Sequence, residues 1–138
     1  MRFLYLLAML PMTASAMEWH QLSGSDDMAV YVDKDSIAFF KNGTRKAWVV
    51  QSHDAMKKTS GSPVKEYQSS MSLTKFNCSE RVSGVYHQVL FKEQYRKGET
   101  VDIDVLDPEK IRLDDVLPGS VGEEILDYVC RHKIGKAR

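Results

Sequence analysis

Four histidines and two cysteines carry most of the metal-binding and nucleophilic chemistry available to this 138-residue chain. The histidines lie far apart and in different predicted elements: His20, His53, His87 and His132. No two of them have the spacing of metal ligands on one helix or turn. Ser52, His53 and Asp54 have the residue types of a catalytic triad, but adjacent residues of a strand point to opposite faces, and no Gly-x-Ser-x-Gly motif is present. The sequence therefore predicts neither metal ligands, nor a cofactor, nor a catalytic centre.

Cys78 and Cys130 are the only two cysteines, so a single pairing is available. They do not form a Cys-x-x-Cys redox motif, and an even number of cysteines in an exported protein favours a structural disulfide. In the chain-entropy description, closing a loop of about 50 residues stabilises a fold by roughly 4 kcal/mol. We expect the bridge Cys78–Cys130; the alternative is two buried free thiols.

Acidic residues are frequent between positions 99 and 115. Asp102 and Asp104 alternate on one face of a predicted strand, an arrangement that could bind calcium, although the glycine and the terminal glutamate of a calcium loop are missing. We favour a solvated strand face with Ile103 and Val105 turned inward. The carboxylates would then also protect an edge strand against pairing with itself.

Basic and aromatic residues offer two further candidates for binding. The basic groups are Lys57-Lys58, Arg96-Lys97 and the tail residues Arg131, Lys133, Lys136 and Arg138. They could bind a polyanionic glycan or lipopolysaccharide phosphates, but solvation of loops and of a chain end is the interpretation we favour. We assign the aromatic residues to the core rather than to a ligand platform: Trp19, Tyr31, Trp48, Tyr86 and Phe91. With 19 basic and 19 acidic residues the chain has no net positive charge to attract the phosphates of nucleic acid. We therefore do not expect nucleic acid as a partner.

Residues 1–16 have the pattern of a cleavable signal peptide. Arg2 precedes a short apolar run over 3–10, and Ala14 and Ala16 supply the small residues that a signal peptidase requires. The run is about half of the roughly 20 residues needed to cross a bilayer, which argues against a membrane anchor. We expect cleavage after Ala16.

The mature chain, 17–138, is predicted to be one domain without a transmembrane segment. Met17 stands where a bacterial lipoprotein would carry its acylated cysteine. We therefore expect an exported protein of the periplasm or the cell surface that is not anchored by a lipid.

Most of the mature chain has the composition and alternation of β strands. Predicted strands cover about 17–22, 28–33, 36–40, 47–50, 66–76, 83–95 and 100–106. Asn42-Gly43 predicts a two-residue type I′ hairpin turn. The polar residues 54–65 are predicted to form a mobile loop.

The C-terminal segment changes to helical periodicity. Ser120 and Glu123 have the spacing of a capping box, and Ile125, Leu126 and Val129 form an apolar stripe. Cys130 lies beside this stripe, so a disulfide to Cys78 would hold the helix on the sheet. The predicted fold class is α+β: an antiparallel sheet of about six strands with one C-terminal helix packed on one face and tied by a disulfide.

A set of spaced residues across nearly the whole mature chain resembles the surface-adhesin protein E family of bacterial envelope proteins. These residues are Trp19, Val30-Tyr31-Val32-Asp33, Ser36-Ile37, Trp48, Ser72 before Cys78, and the Pro118-Gly119-Ser120 helix ending at Val129-Cys130. The resemblance implies a six-stranded sheet with a disulfide-tied helix, binding of host or matrix proteins, and homodimers. The founding member resembles a lipoprotein, and Met17 departs from that pattern.

Three functions remain open on these grounds. The leading hypothesis is an exported, non-catalytic envelope protein that binds host matrix or plasma proteins or envelope components. The alternative is a periplasmic enzyme or small-ligand carrier that uses a pocket between helix and sheet. A structural or assembly factor with no ligand of its own is the third.

Overall fold

The computed structural model describes residues 17–135. The predicted signal peptide, with Ala14 and Ala16, lies outside the described residues, as do positions 136–138. Eight strands and one α-helix are present in the described part: β1 Trp19–Gln21, β2 Met28–Asp33, β3 Ala38–Phe39, β4 Arg45–Lys58, β5 Glu66–Asn77, β6 Val82–Phe91, β7 Thr100–Val105, β8 Asp114–Asp115 and α1 Val121–Arg131. Short 3-10 turns occur at Lys34–Ser36, Lys41–Gly43 and Gln94–Arg96.

All strands belong to one antiparallel sheet. Six of them follow the order β1-β2-β4-β5-β6-β7, while the two-residue strands β3 and β8 pair with β4 and β6. The long strands β4 and β5 form the centre of the sheet, and β1 and β7 are its outer strands. The predicted fold class is confirmed.

The core lies between α1 and one face of β2, β4 and β5. Residues at directly opposite positions of paired strands share a face, so Val32, Val49 and Ser72 form one row beneath the helix. Nine buried side chains form this core: Val30, Val32, Ile37, Ala47, Val49, Phe76, Ile125, Leu126 and Val129. Full burial of such a side chain contributes about 1.5–3 kcal/mol, and this face of the sheet accounts for most of the domain's hydrophobic stabilisation.

Local hydrogen bonds fix where α1 begins. Ser120 accepts from the Glu123 backbone N–H at 3.2 Å, as the capping box predicts. The Glu123 carboxylate accepts from the N–H of Gly119 (3.3 Å) instead of that of Ser120. The reason is that the Ser120 N–H already donates to the Leu117 carbonyl at 3.3 Å.

The C-terminal end of the helix is held by a side chain from the sheet. The Arg45 guanidinium donates to the carbonyl oxygens of Val129 (2.8 Å) and His132 (2.7 Å), which have no partner within the helix. Next to this contact, Cys130 is bonded to Cys78, with 5.8 Å between their Cα atoms. The predicted disulfide therefore forms and ties the last turn of α1 to the end of β5.

Two turn predictions require correction. The hairpin at Asn42-Gly43 exists, but Phe40 pairs with Thr44 (N···O 2.8 Å), so its loop has one residue more than a type I′ turn. Asn42 and Gly43 both have positive φ, as the sequence indicated. The predicted loop 54–65 is also too long, because β4 continues to Lys58 beyond an irregularity and pairs with β5.

The predicted strand 83–95 is likewise altered. Leu73 pairs with His87 but Thr74 pairs with Val85, so Tyr86 is an extra residue in a β-bulge. The bulge places Val85 on the helix side of the sheet instead of beside His87. Strand β6 ends at Phe91, because Tyr95 and Arg96 adopt left-handed backbone conformations with φ of 55° and 61°.

Candidate functional site

The sheet has a second face, opposite α1, on which seven apolar side chains and one histidine form two rows. We call these eight residues the open face: Trp48, Leu73, His87 and Val105 in one row, and Val50, Met71, Val89 and Ile103 in the other. The rows follow from the register, since each residue lies opposite the next across β4, β5, β6 and β7. Within residues 17–135, α1 is the only α-helix, and it packs on the other face.

One end of the open face is covered by segment 92–99. Its backbone binds two buried serines of the sheet: the Tyr95 N–H donates to Ser52 Oγ at 3.1 Å, and the Arg96 N–H donates to Ser69 Oγ at 2.9 Å. The Ser69 hydroxyl in turn donates to the Glu93 carbonyl at 2.6 Å. These bonds satisfy polar groups that would otherwise be buried without partners, and they fix the segment in place.

The other end of the open face is covered by segment 107–113. The Lys75 ammonium donates to the Pro108 carbonyl at 3.1 Å. Gly84 permits close backbone approach, since a Cβ at this position would lie 2.8 Å from the Arg112 carbonyl oxygen. The two segments leave the middle of the open face without a covering layer.

The outermost residues of the open face are strongly exposed. Ile103 is 59% and Val105 is 63% exposed, although both were predicted to point inward. They do lie on the apolar side of β7, but no second layer covers that side in the described part of the chain. A sequence signal for this face exists in β4, where Trp48 and Val50 alternate with Ala47 and Val49, so that both faces are apolar.

The aromatic residues also depart from the prediction. Tyr86 is buried, but Trp19, Tyr31, Trp48 and Phe91 are only partly buried and lie outside the helix-side core. Alternation predicts which residues share a face, yet it does not tell which face is covered by a helix. Several of these aromatic side chains therefore remain accessible.

An aromatic cleft adjoins the open face at Val50. The Arg96 guanidinium lies 4.8 Å from the centre of the Trp19 ring, and Tyr31 meets Tyr95 edge-on at 6.3 Å. The cleft between them has a volume of about 160 Å³. Trp, Tyr and Arg are the residue types that dominate binding energy at protein interfaces.

The four histidines are dispersed through the fold. His87 meets Trp48 at 5.2 Å on the open face, His20 stacks on Tyr128 at 4.6 Å, and His132 follows α1. His53 is buried in β4. Desolvation and the positive charge of Lys57 lower its pKa, while the negative charge of Asp27 acts in the opposite direction. Among residues 17–135, no three His, Cys, Asp or Glu side chains come together as a metal site.

The triad types at positions 52–54 do not converge. Ser52 accepts from segment 92–99, while His53, its neighbour in β4, points to the opposite face. The Asp54 N–H donates to the Asp27 carbonyl at 3.0 Å, which joins β4 to the loop before β2. These residues have structural roles.

A cavity between helix and sheet tests the carrier hypothesis. Its volume is about 170 Å³, below the roughly 300–1,000 Å³ of small-molecule sites. Its polar lining includes Gln51, Ser72, Thr74 and Gln88. Gln88 Nε2 already donates to Ser72 Oγ at 3.3 Å, so part of this lining is satisfied internally.

A larger groove of about 700 Å³ runs between β1 and the outer side of α1. Its carboxylates are engaged in holding elements together. Glu124 accepts from the backbone N–H groups of Ser23 and Gly24, and Glu123 and Asp127 pair with Arg81 at 3.2 and 3.1 Å. These contacts join β1 and the β5–β6 turn to the helix, which is a structural function.

The charged candidates lie at the edges of the sheet. Asp102 and Asp104 share the face of β7 opposite Ile103, as predicted, and Asp102 lies 3.6 Å from the Lys65 ammonium. Lys57 and Lys58 are exposed at the end of β4, and Arg96-Lys97 belong to segment 92–99. Lys136 and Arg138 lie outside the described residues.

Comparison with known proteins identifies relatives of this fold. A family model described as surface-adhesin protein E matches residues 19–131. The chain is similar to a Haemophilus influenzae protein E structure in crystal form II, with TM-score 0.57, 15% identity, and coverage of 88% of this chain and 93% of that one. A second Haemophilus influenzae protein E structure gives TM-score 0.56 at 15% identity, covering 88% and 89%. No match is found among curated protein sequences.

In the part of the chain that the structure describes, no helix has the length and hydropathy of a membrane span.

Proposed function

Because the chain belongs to the surface-adhesin protein E family, we propose that it is an exported, non-catalytic envelope protein that binds host matrix or plasma proteins or envelope macromolecules. The observation that carries this proposal is the open face, an apolar surface at the centre of the sheet. Exposed apolar surface of this kind, bordered by polar segments, is characteristic of interaction sites. The proposed contact surface comprises the open face and the adjoining aromatic cleft.

The energetics favour docking on this face. Ile103 and Val105 each retain more than half of their surface exposed. Covering them would recover about 1–2 kcal/mol each, since full burial of such a side chain contributes about 1.5–3 kcal/mol. The neighbouring Trp19, Tyr31 and Tyr95 add rigid aromatic surface with polar tips.

The alternative of an enzyme or small-ligand carrier has less support. The helix-side cavity is too small for a typical metabolite, and its side chains bind one another. The side chains of the triad types at 52–54 do not converge, and Ser52 accepts from the backbone of segment 92–99. We therefore favour macromolecular binding without catalysis.

Export and location belong to the same proposal. We propose that cleavage follows Ala16 and that the mature protein begins at Met17, without a lipid anchor. N-terminal sequencing of the protein from cells tests the cleavage site, and an N-terminus elsewhere would contradict it. Fractionation combined with surface proteolysis of intact cells separates a periplasmic from a surface location.

We also propose that the protein forms homodimers through a surface other than the open face, which stays accessible to the macromolecular partner. Sedimentation velocity of the mature chain tests this over a range of concentrations. A dimer that persists in the Ile103→Asp/Val105→Asp double variant supports the proposal. A monomer at all concentrations would contradict it.

The binding function is tested with purified mature protein on beads. Wild-type protein should retain a specific protein from plasma, extracellular matrix or envelope fractions, and the double variant Ile103→Asp/Val105→Asp should lose it. Leu117→Asp is the matched control, since Leu117 is 69% exposed and precedes α1, away from the open face. Equal retention by the double variant, or no retention by the wild type, would contradict the proposal.

A further inference from the structure

We propose that strand β7 accepts an added β strand from a partner: an extended segment in which apolar residues alternate with lysine or arginine. This inference rests on the proposed binding function and specifies the chemistry of the partner. It concerns the edge of the sheet, next to the open face.

Within residues 17–135, one side of β7 has no strand paired with it. This six-residue strand is the last in the order β1-β2-β4-β5-β6-β7 and therefore lies at an edge of the sheet. The Leu106 N–H donates to the Tyr86 carbonyl at 2.7 Å, so Asp102 and Asp104, in the same alternation, direct their backbone groups toward β6. Ile103 and Val105 consequently direct theirs outward, where another strand can pair with them.

Apolar and acidic side chains alternate along this edge. Ile103 and Val105 lie on the open-face side and are exposed, whereas Asp102 and Asp104 lie on the other side. A strand added beside β7 would place its own alternate residues next to each set. Apolar residues would extend the open face by one row, and basic residues would meet the carboxylates.

The charges of β7 disfavour a second copy at this edge. If two β7 strands paired in antiparallel register about Ile103, Asp102 of each would face Asp104 of the other. Like charges directly opposite each other destabilise a strand pair, and acidic edge residues commonly prevent self-association. The same two carboxylates favour a basic partner.

The unbound edge is partly protected by its own chain. Asp102 Oδ1 accepts from the outward Ile103 N–H at 3.0 Å. Strand addition requires this carboxylate to release the N–H. Asp102 already lies 3.6 Å from the Lys65 ammonium, and a lysine or arginine of the incoming strand would add a second cationic partner. Among residues 17–135, Asp104 forms no ion pair within 4 Å, so it is available to a second basic residue.

The test uses synthetic peptides and the full mature protein. The probe is an eight-residue peptide of alternating valine and lysine; the controls are a valine–glutamate peptide and a valine–lysine peptide of the same composition with its lysines in one block. Fluorescence anisotropy should show binding of the alternating lysine peptide. Both controls should bind more weakly by a factor of roughly ten or more, a difference that two cross-strand charge pairs can produce. Equal binding of the block peptide would overturn the proposal.

A charge-reversal variant provides the sharper test. Asp102→Lys/Asp104→Lys should prefer the glutamate peptide over the lysine peptide, with its fold checked by circular dichroism. If this variant does not fold, amide exchange of the wild type with the lysine peptide should show protection at Ile103 and Val105. No protection at these amides would overturn the proposal.

The two proposals fail separately. Suppose that the wild type retains a matrix or plasma protein, that Ile103→Asp/Val105→Asp loses it, and that no peptide binds at β7. Macromolecular binding would then stand, and strand addition would be removed. If the lysine peptide binds but the wild type retains no natural protein, strand addition would stand and the proposed binding of natural macromolecules would be removed.

Discussion

Single polar side chains join the parts of this domain by binding backbone groups that would otherwise be left without partners. Ser69 is fully buried, accepts from the Arg96 N–H and donates to the Glu93 carbonyl. It thereby holds segment 92–99 over one end of the open face. The segment in turn places Arg96 against Trp19 and forms the aromatic cleft.

Replacing Ser69 by alanine should therefore cost about 1–3 kcal/mol in free energy of unfolding, the usual penalty for leaving a buried polar group unpaired. Urea unfolding measures the loss, and amide exchange at Arg96 should become faster. Ser79→Ala is the matched control, because Ser79 is exposed and bonds only to Asn77. A Ser69→Ala protein as stable as the control would contradict this role.

His53 makes the stability of the domain depend on pH. Burial and the charge of Lys57 lower its pKa below the ordinary value of 6.5, although Asp27 acts in the opposite direction. Below about pH 6.5 the unfolded chain therefore binds more protons at this residue than the folded chain, and stability falls as the pH falls. Above that pH the His53 imidazole is neutral in both states, so the full stability of the domain is present.

We expect the free energy of unfolding to decrease between pH 7 and pH 5, and to decrease less steeply in His53→Gln. Urea unfolding at a series of pH values measures both slopes. Equal slopes in the two proteins would contradict the assignment to His53.

At the scale of elements, helix α1 is attached to the sheet at both of its ends. Arg81 pairs with Glu123 and Asp127 near its start, while Arg45 and the bond from Cys130 to Cys78 hold its last turn. Eleven residues are too few for a stable isolated helix. The helix therefore depends on these contacts and on its buried stripe.

The double variant Cys78→Ser/Cys130→Ser should lose about 2–5 kcal/mol of stability, as is usual for a bridge that closes a long loop in a small exported domain. Chemical unfolding of the variant and the wild type measures the loss. Reduction of the wild type should reproduce it. A variant of unchanged stability would show that the sulfur bridge is dispensable for holding α1.

These elements also show how much of the fold is predictable from the sequence. The position of α1 follows from local signals, Ser120 at its start and the stripe ending at Val129, and the disulfide follows from the cysteine count. The side of the sheet on which Val85 lies is not predictable in this way, since it depends on the bulge at Tyr86.

The exposure of Ile103 and Val105 escaped prediction for a different reason. Alternation along β7 correctly separates them from Asp102 and Asp104, but burial depends on whether a second layer exists on that side. The protein has one α-helix in its described part, and that helix covers the opposite face. The open face is thus a property of the assembled sheet.

At the scale of the whole molecule, the two faces of the sheet have different tasks. One face carries the helix and the core, and the other presents an apolar centre between segments 92–99 and 107–113. The first accounts for stability, and we propose that the second accounts for binding. Variants on the open face should consequently change binding much more than folding.

Radical footprinting of the mature protein, alone and with a captured macromolecular partner, tests this account most directly. We predict that labelling of Met71, Leu73, Ile103 and Val105 falls in the complex, while labelling of the exposed Leu117 stays the same. Protection confined to residues around α1, with the open face labelled as strongly as in the unbound protein, would contradict it.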